Sequence, residues 1–526
     1  MATLTIKGLH ILALLWMCSP ALAQSPPAIQ WQRALGGSLF EAAKSIERTS
    51  DGGYIVGARS DSNNGDVTGN NGQVDCWVIK LDALGGIQWQ RSLGGSGIEE
   101  CNSIQETGDG GYIFTSSTTS SNGDVSGAHG LSDAWVVRLD ISGDIIWQRA
   151  LGGTGQDYGA SVRQTANGGF IFAGSTVSND GDISGNHGNV DCWVVKLDPS
   201  GTIEWQKSLG GSASESALSI RQTGDGGYVV GGQSSSNDGD ISGNHGAGDY
   251  WVVKLDGDGD IQWQRTLGGS GEETAWGLDV TSDGGSVMAG WTHSNDGDVS
   301  GNHGGADFWV VKLDPSGAVQ WQKALGGSAE EICHTVRGTF DNGCVVAGSA
   351  TSVDGDVTGV HAPPGRDAWV VELDGTGAIN WQKTLGGVSP NDFAMAIVQA
   401  ADSGYVVAGS TGSNDGDVSG NHGWQDAWIV KLGDLGTGVD QGGAAMDEQA
   451  VLCVRPNPSS GVVYIQCAAV DRDAHITITD VLGREVTRWN LGTGHAILDL
   501  GDQPRGIYVI TVRSAQGSQS RRLVLE

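Results

Sequence analysis

Basic residues are scarce in this chain. Lys and Arg number 29 against 61 Asp and Glu, a net charge of −32 over 526 residues. Such a surface repels phosphate backbones and anionic lipid headgroups, which argues against nucleic acid and direct phospholipid binding. Long apolar runs are missing as well: beyond the N-terminal segment nothing approaches the ~18 residues of a transmembrane helix. Cysteine is limited to eight residues, without the C-x-x-C spacing of a zinc site. No G-x-S-x-G or H-E-x-x-H motif occurs, so these hydrolase signatures are absent. Glycine, by contrast, supplies 87 residues without a Gly-X-Y period. Each interior Gly costs a helix about 1 kcal/mol relative to Ala, which argues against long helices. Tryptophan, at 19, outnumbers Phe at 7 and Tyr at 8, an imbalance that points to a repeated Trp position. A hydrophobic content of 38% is low for one large core and workable for many thin ones.

Residues 1–23 read as a secretory signal peptide. Lys7 supplies the charged start, Gly8 to Met17 the short apolar stretch, and Ala21-Leu22-Ala23 the cleavage site. The mature chain is expected to start at Gln24, outside the cytoplasm. It then carries seven cysteines, at 76, 101, 192, 333, 344, 453 and 467, an odd number that leaves at least one unpaired. Cys453 and Cys467 flank an expected turn at Asn457 to Gly461 and are the best candidates for a disulfide. Cys76 and Cys192 share one repeat position before Trp and read as small buried hydrophobes.

Internal repetition decides the architecture. A Trp-Gln pair begins at Trp31, Trp89, Trp147, Trp205, Trp263, Trp321 and Trp381, spaced by 58 residues five times and 60 once. A second Trp follows at 77, 135, 193, 251, 309, 369 and 428. In the unit from Trp205, four short strands are predicted: Trp205 to Leu209, Ala217 to Thr223, Tyr228 to Gly232 and Tyr250 to Leu255. Gly224-Asp-Gly-Gly227 between the second and third is hairpin chemistry, rich in residues that accept positive φ. Four strands per unit at even spacing is the pattern of a propeller blade. The Asp-x-x-Gly turn ties each second-Trp strand to the following Trp-Gln strand. The strand around Trp31 is therefore expected to complete the blade begun near Ala394, closing the ring and leaving no open edge. An open β-solenoid is the alternative, but its capping repeats are not seen.

These units resemble bacterial seven-bladed propeller repeats, on Asp133-Ala-Trp-Val-Val-Arg-Leu-Asp140, Leu151-Gly-Gly-Thr154 and Asp225-Gly-Gly-Tyr-Val-Val-Gly231. The resemblance covers 28–433 and implies a fold, not a function. A Gly-rich acidic stretch, 434–449, reads as linker. Residues 450–526 resemble the C-terminal sorting domain of the type IX secretion system. Pro456-Asn-Pro-Ser-Ser-Gly461, Asp480-Val-Leu-Gly-Arg-Glu-Val486, Pro504-Arg-Gly-Ile-Tyr-Val-Ile-Thr-Val512 and the terminal Arg521-Arg-Leu-Val-Leu-Glu526 carry that resemblance. It implies a small Ig-like β-sandwich and recognition by the type IX secretion machinery. It also implies export across the outer membrane, to the cell surface or the extracellular medium. The expected fold class is all-β: a seven-bladed propeller of four-stranded, 58-residue units followed by that sandwich.

Two sets of residues are candidates for chemistry. The loop before each second Trp places oxygens at positions 1, 3, 5, 7 and 12 with Gly at 6, the spacing of an EF-hand calcium loop except that Asp replaces Glu at 12. The candidate ligands are Asp180, Asp182, Ser184, Asn186 and Asp191; Asp238, Asp240, Ser242, Asn244 and Asp249; Asp296, Asp298, Ser300, Asn302 and Asp307; and Asp415, Asp417, Ser419, Asn421 and Asp426. Plain turn chemistry, with side chains bonding nearby backbone N–H groups, is the competing reading. Six histidines recur in these loops, at 129, 187, 245, 303, 361 and 422, which suggests a packing or hydrogen-bonding role repeated from blade to blade rather than metal binding. The acids after each Leu-Gly-Gly, such as Glu41, Glu99 and Asp157, are expected to cap that turn or to pair with a local Lys or Arg.

A specific site needs residues that break the symmetry. Trp276, Trp291, His334, Arg366 and Trp424 do so, and so does His293. The tryptophans suit a sugar platform; surface or core packing is the competing reading. The sixth unit, with His334, Arg366 and the inserted Pro363-Pro364, diverges most. The reading is an exported surface or secreted binding protein with a glycan or protein target. The alternatives are a polysaccharide-active propeller enzyme and a purely structural surface component.

Overall fold

The computed structural model describes residues 25–433, without 340–341, 362–364 and 390, and parts of 452–525. The signal segment, the linker and the Pro363-Pro364 insertion lie outside the described residues. All elements in the described residues are β-strands.

The third strand of each blade shows why these sequences fold as they do. Asp75–Leu81 reads D-C-W-V-I-K-L, and all seven of its residues are buried. A strand covered on both faces is near-continuously apolar, so its buried polar groups need partners, and the Asp75 carboxylate accepts the Asn71 N–H at 2.8 Å. The Lys80 ammonium reaches the Asp51 carboxylate, 2.8 Å away in the adjoining turn. The Trp77 indole N–H donates to Gln90 Oε1 at 2.8 Å on the neighbouring outer strand. That bond accounts for the recurrent Trp-Gln pair: its Gln serves the Trp of the strand before it. The same indole–amide bond recurs at Trp135–Gln148, Trp193–Gln206, Trp251–Gln264, Trp309–Gln322 and Trp369–Gln382.

Blade one comprises Glu41–Arg48, Tyr54–Ser60, Asp75–Leu81 and Ile87–Leu93, hydrogen-bonded antiparallel in that order. Five further blades repeat this order, with inner strands Glu99–Glu106, Asp157–Gln164, Glu215–Gln222, Glu273–Val280 and Glu331–Gly338. Blade seven is composite: Asp392–Gln399, Tyr405–Thr411 and Asp426–Leu432 are joined by the N-terminal strand Ile29–Leu35. There Trp428 finds its amide partner in Gln32, 2.9 Å away and at the opposite end of the propeller sequence. The repeat and the blade thus differ in phase by one strand, and that offset closes the ring.

The core is divided among the blade interfaces. One apolar cluster joins Ile46, Trp77 and Ile79 of blade one to Val406 and Ile429 of blade seven. Another joins Val78 of blade one to Phe114 and Trp135 of blade two. Cys76 and Cys192 are fully buried, as expected of small hydrophobes at that position.

The C-terminal residues form two antiparallel sheets. One orders Leu452–Arg455, Val462–Cys467 and His495–Asp499; the other orders Glu485–Asn490, His475–Asp480, Gly506–Ser514 and Gly517–Leu525. Ile476, Ile478, Tyr508, Ile510 and Leu523 from the second sheet share a core with Leu498 from the first, which makes the pair a sandwich. Cys453 and Cys467 lie on paired strands, with Leu452 opposite Cys467; their side chains are outside the described residues.

Candidate functional site

Every inner strand carries a β-bulge at the same place. The register slips between Ala43 and Ser45, and at the corresponding point in all six other blades. Bulges leave one residue unpaired and re-aim its side chain. The unpaired residues are Lys44, Asn102, Ala160, Leu218, Trp276, His334 and Met395. Similar repeats thus place seven different residues at one position, and all seven line a cavity of about 480 Å³ walled mainly by the inner strands. This is an asymmetric site at the centre of a repetitive ring.

Trp276 and His334 meet in it, edge to face with ring centroids 5.6 Å apart. Trp276 is 43% exposed, an aromatic face left open rather than packed away. Burial lowers the His334 pKa to about 4, and the Arg366 charge adds to the fall. The imidazole is therefore neutral at physiological pH and offers hydrogen bonds without charge. Tyr158 adds a second partly exposed ring to the same wall.

The other sequence candidates lie elsewhere. Trp291 packs on His293 at 4.9 Å and sits opposite Thr274 in the second strand of blade five, outside the cavity lining. Arg366 pairs with Glu330 at 2.8 Å. Trp424 is 83% exposed, in the loop before the strand Asp426–Leu432. The arginines that line the cavity beside Trp276, at 163, 221 and 337, were not among the expected site residues.

In the acidic loops the oxygens are held by local partners. In blade three Asp180 Oδ1 accepts the Thr154 N–H at 2.8 Å and Asp182 Oδ2 the Gly152 N–H at 3.2 Å. Ser184 Oγ accepts from the Gln206 amide at 2.8 Å, and Asn186 donates to Thr176 O at 3.2 Å. Asp191 Oδ2 accepts the His187 N–H at 2.9 Å and lies 2.9 Å from His187 Nδ1. The equivalents at Asp238, Asp296 and Asp415 accept from Ser212, Ser270 and Val388 N–H groups. Among the described residues no group of three or more His, Cys, Asp or Glu side chains is placed to hold a metal ion.

The aspartates that the loop histidines face and the Leu-Gly-Gly acids come together at the blade junctions. Glu215 Oε2 accepts the Gly211 N–H at 2.8 Å, and Glu215 Oε1 accepts from Ser234 Oγ at 2.9 Å. A Cβ on Gly210 would lie 2.7 Å from both Glu215 Oε2 and Asp191 Oδ1, so only glycine fits between the two acids. The Asp oxygen facing this space has no hydrogen-bond donor at Asp75, Asp133, Asp191, Asp249, Asp307 and Asp426 among the described residues.

Fold and cavity define the class: a closed seven-bladed β-propeller with one asymmetric axial site, followed by a small β-sandwich. Residues 454–526 match the secretion system C-terminal sorting domain family. The chain is thus a propeller repeat protein bearing a type IX secretion tail, and that tail fits a cell-surface or extracellular location. No curated protein matches it. Among solved structures it is similar to PorZ, an essential surface component of the type IX secretion system of Porphyromonas gingivalis. The two share 14% identity at a TM-score of 0.40, over 94% of this chain, which spans only 60% of PorZ. The Pan2 WD40 domain of Neurospora crassa is similar at 11% identity and a TM-score of 0.42, over 76% of this chain and 95% of that one. A puromycin hydrolase is similar at 13% identity and a TM-score of 0.44, over 93% and 62% of the respective chains.

Proposed function

We propose that this exported protein is a surface binding protein that takes its target in the axial cavity at Trp276 and His334. The observation that carries the reading is that the bulge residue, different in every blade, faces the cavity in all seven. The seven blades keep the same Trp, Gln, Asp and Gly framework and differ where Lys44, Asn102, Trp276, His334 and Met395 face the cavity. A purely structural component gains nothing from seven different residues at one enclosed position. The described lining contains no Asp or Glu. A glycosidase there would need a carboxylate pair across the scissile bond, so the lining favours binding over hydrolysis.

The test is a glycan and protein array probed with the wild-type chain and Trp276→Ala. Removing one exposed aromatic anchor is expected to weaken binding by about 2 kcal/mol or more, roughly thirtyfold, without changing the melting temperature. Full retention of every binding signal in Trp276→Ala would refute the cavity as the site.

A further inference from the structure

The wall of the axial cavity runs against the charge of the molecule. In a chain with 61 acidic and 29 basic residues, the charged side chains on that wall are Lys44, Arg163, Arg221 and Arg337. The acids stand behind them. Glu47 is shared by Arg337 at 2.7 Å and Arg163 at 3.3 Å, while Asp279 holds Arg221 at 2.9 Å. Three guanidiniums therefore share two carboxylates, leaving one positive charge over. Arg163 has the poorer share. Burial, together with the Arg221 charge, pulls its pKa down to about 9, the response of a cation short of counter-charge. Lys44 is neutralised by Glu100, which also holds Arg59.

Hydroxyl donors complete the wall. Ser45, Ser103 and Ser161 stand at equivalent positions. Each Oγ accepts a backbone N–H from the next blade: Ile104 at 3.2 Å, Val162 at 3.2 Å and Ile220 at 3.4 Å. A hydroxyl that accepts in this way keeps its own proton to donate. Among the described residues these three protons have no acceptor. The cavity thus offers an excess positive charge, hydroxyl donors, a neutral imidazole and one open indole face. Its volume of about 480 Å³ is that of a small-molecule site.

We propose that the cavity binds a sugar-sized monocarboxylate, a hexuronate unit, with its carboxylate met by Arg163 and its ring by Trp276. The inference rests on the reading of the cavity as the binding site. A peptide suits the wall less well, because its N–H groups would face donors and stay unpaired. Sugar hydroxyls accept as readily as they donate.

The experiment is calorimetric titration of the full chain with D-galacturonate and D-glucuronate, against D-galactose, D-glucose and acetate. The uronate is expected to bind at least about tenfold more tightly than its neutral hexose, with an affinity that falls as salt rises. Arg163→Gln, which leaves two guanidiniums on two carboxylates, is expected to bring the two sugars within about twofold of each other. Should that variant not fold, the wild-type uronate-to-hexose ratio decides alone. Equal binding of acid and neutral sugars would overturn the inference and leave the cavity reading standing. Acetate or an acidic peptide binding as tightly as the uronate would overturn the sugar assignment. Absence of heat with every sugar at millimolar concentration would overturn the inference, while the Trp276→Ala array still tests the cavity itself.

Discussion

Asp75 is destabilising as it stands, and replacing it by Asn should strengthen the protein in a pH-dependent way. The residue is fully buried at the junction of blades one and two, beside Glu99. Its Oδ2 accepts the Asn71 N–H at 2.8 Å, and its Oδ1 has no partner among the described residues. Burial, with the nearby Glu99 and Asp124 charges adding to it, pushes the carboxyl up from 3.8 to about 6. Equivalent loops carry a His whose Nδ1 faces the Asp, as at His245, His303 and His422; blade one has Asn71 instead and lacks that relief. A carboxyl raised in the fold favours the folded state only while protonated. Its contribution is whole below the unfolded value near 4 and is lost as pH rises through 6. At about 1.4 kcal/mol per pH unit, the native state carries a penalty of about 3 kcal/mol at neutral pH. Asp75→Asn keeps the shape, removes the charge and places an N–H₂ donor towards Glu99. Urea unfolding of wild type and variant between pH 4 and 8 should coincide at pH 4 and diverge above it, with the variant more stable by about 2–3 kcal/mol at pH 7.5. Asn71→His should recover part of the same gain. A variant no more stable than wild type at pH 7.5, or a gap independent of pH, would refute the reasoning.

Three further outcomes follow from the same geometry. Gln32→Leu and Gln206→Leu each strand a buried indole N–H, so both should cost about 1–3 kcal/mol in urea unfolding, although one bond closes the ring and the other lies within a blade. Melting temperatures in EDTA and in millimolar calcium should agree, because most of the loop oxygens already accept local hydrogen bonds; a rise lost in Asp180→Ala would make these loops metal sites. Deleting 450–526 should leave the propeller's melting unchanged, because its cores contain no described residue of that segment, while surface labelling of cells expressing the truncated chain is lost.

Much of the fold was legible because it is written seven times. Trp193, Gln206 and the Asp-Gly-Gly turns recur at fixed spacing, and their period alone implied blades, strand order and the joining of Trp31 to the last blade. The site was only half legible. Trp276 and His334 stand out as rare residues, but nothing local marks the bulge that aims them inward, since a one-residue slip in pairing leaves no composition signal. Aligning the repeats by column would only have narrowed it: the fourth position of the inner strand reads Lys44, Asn102, Ala160, Leu218, Trp276, His334, Met395, but the second varies as widely, from Ala42 and Glu100 to Ile332 and Phe393. The arginines at 163, 221 and 337 escaped because a charged residue on a strand is ordinarily a solvated one. Only the closed ring turns their side chains towards one another.

The composite seventh blade also bears on how a tethered protein resists force. The chain leaves the propeller through Asp426–Leu432, and that strand is not at the rim of its sheet. Ile29–Leu35 flanks it on one side and Tyr405–Thr411 on the other. Tension arriving through Gly433 therefore loads two hydrogen-bonded ladders along their length at once, instead of peeling a single edge bond by bond. A cell-surface protein held by its tail and pulled by its cargo would meet the strain in shear, where the bonds must break together.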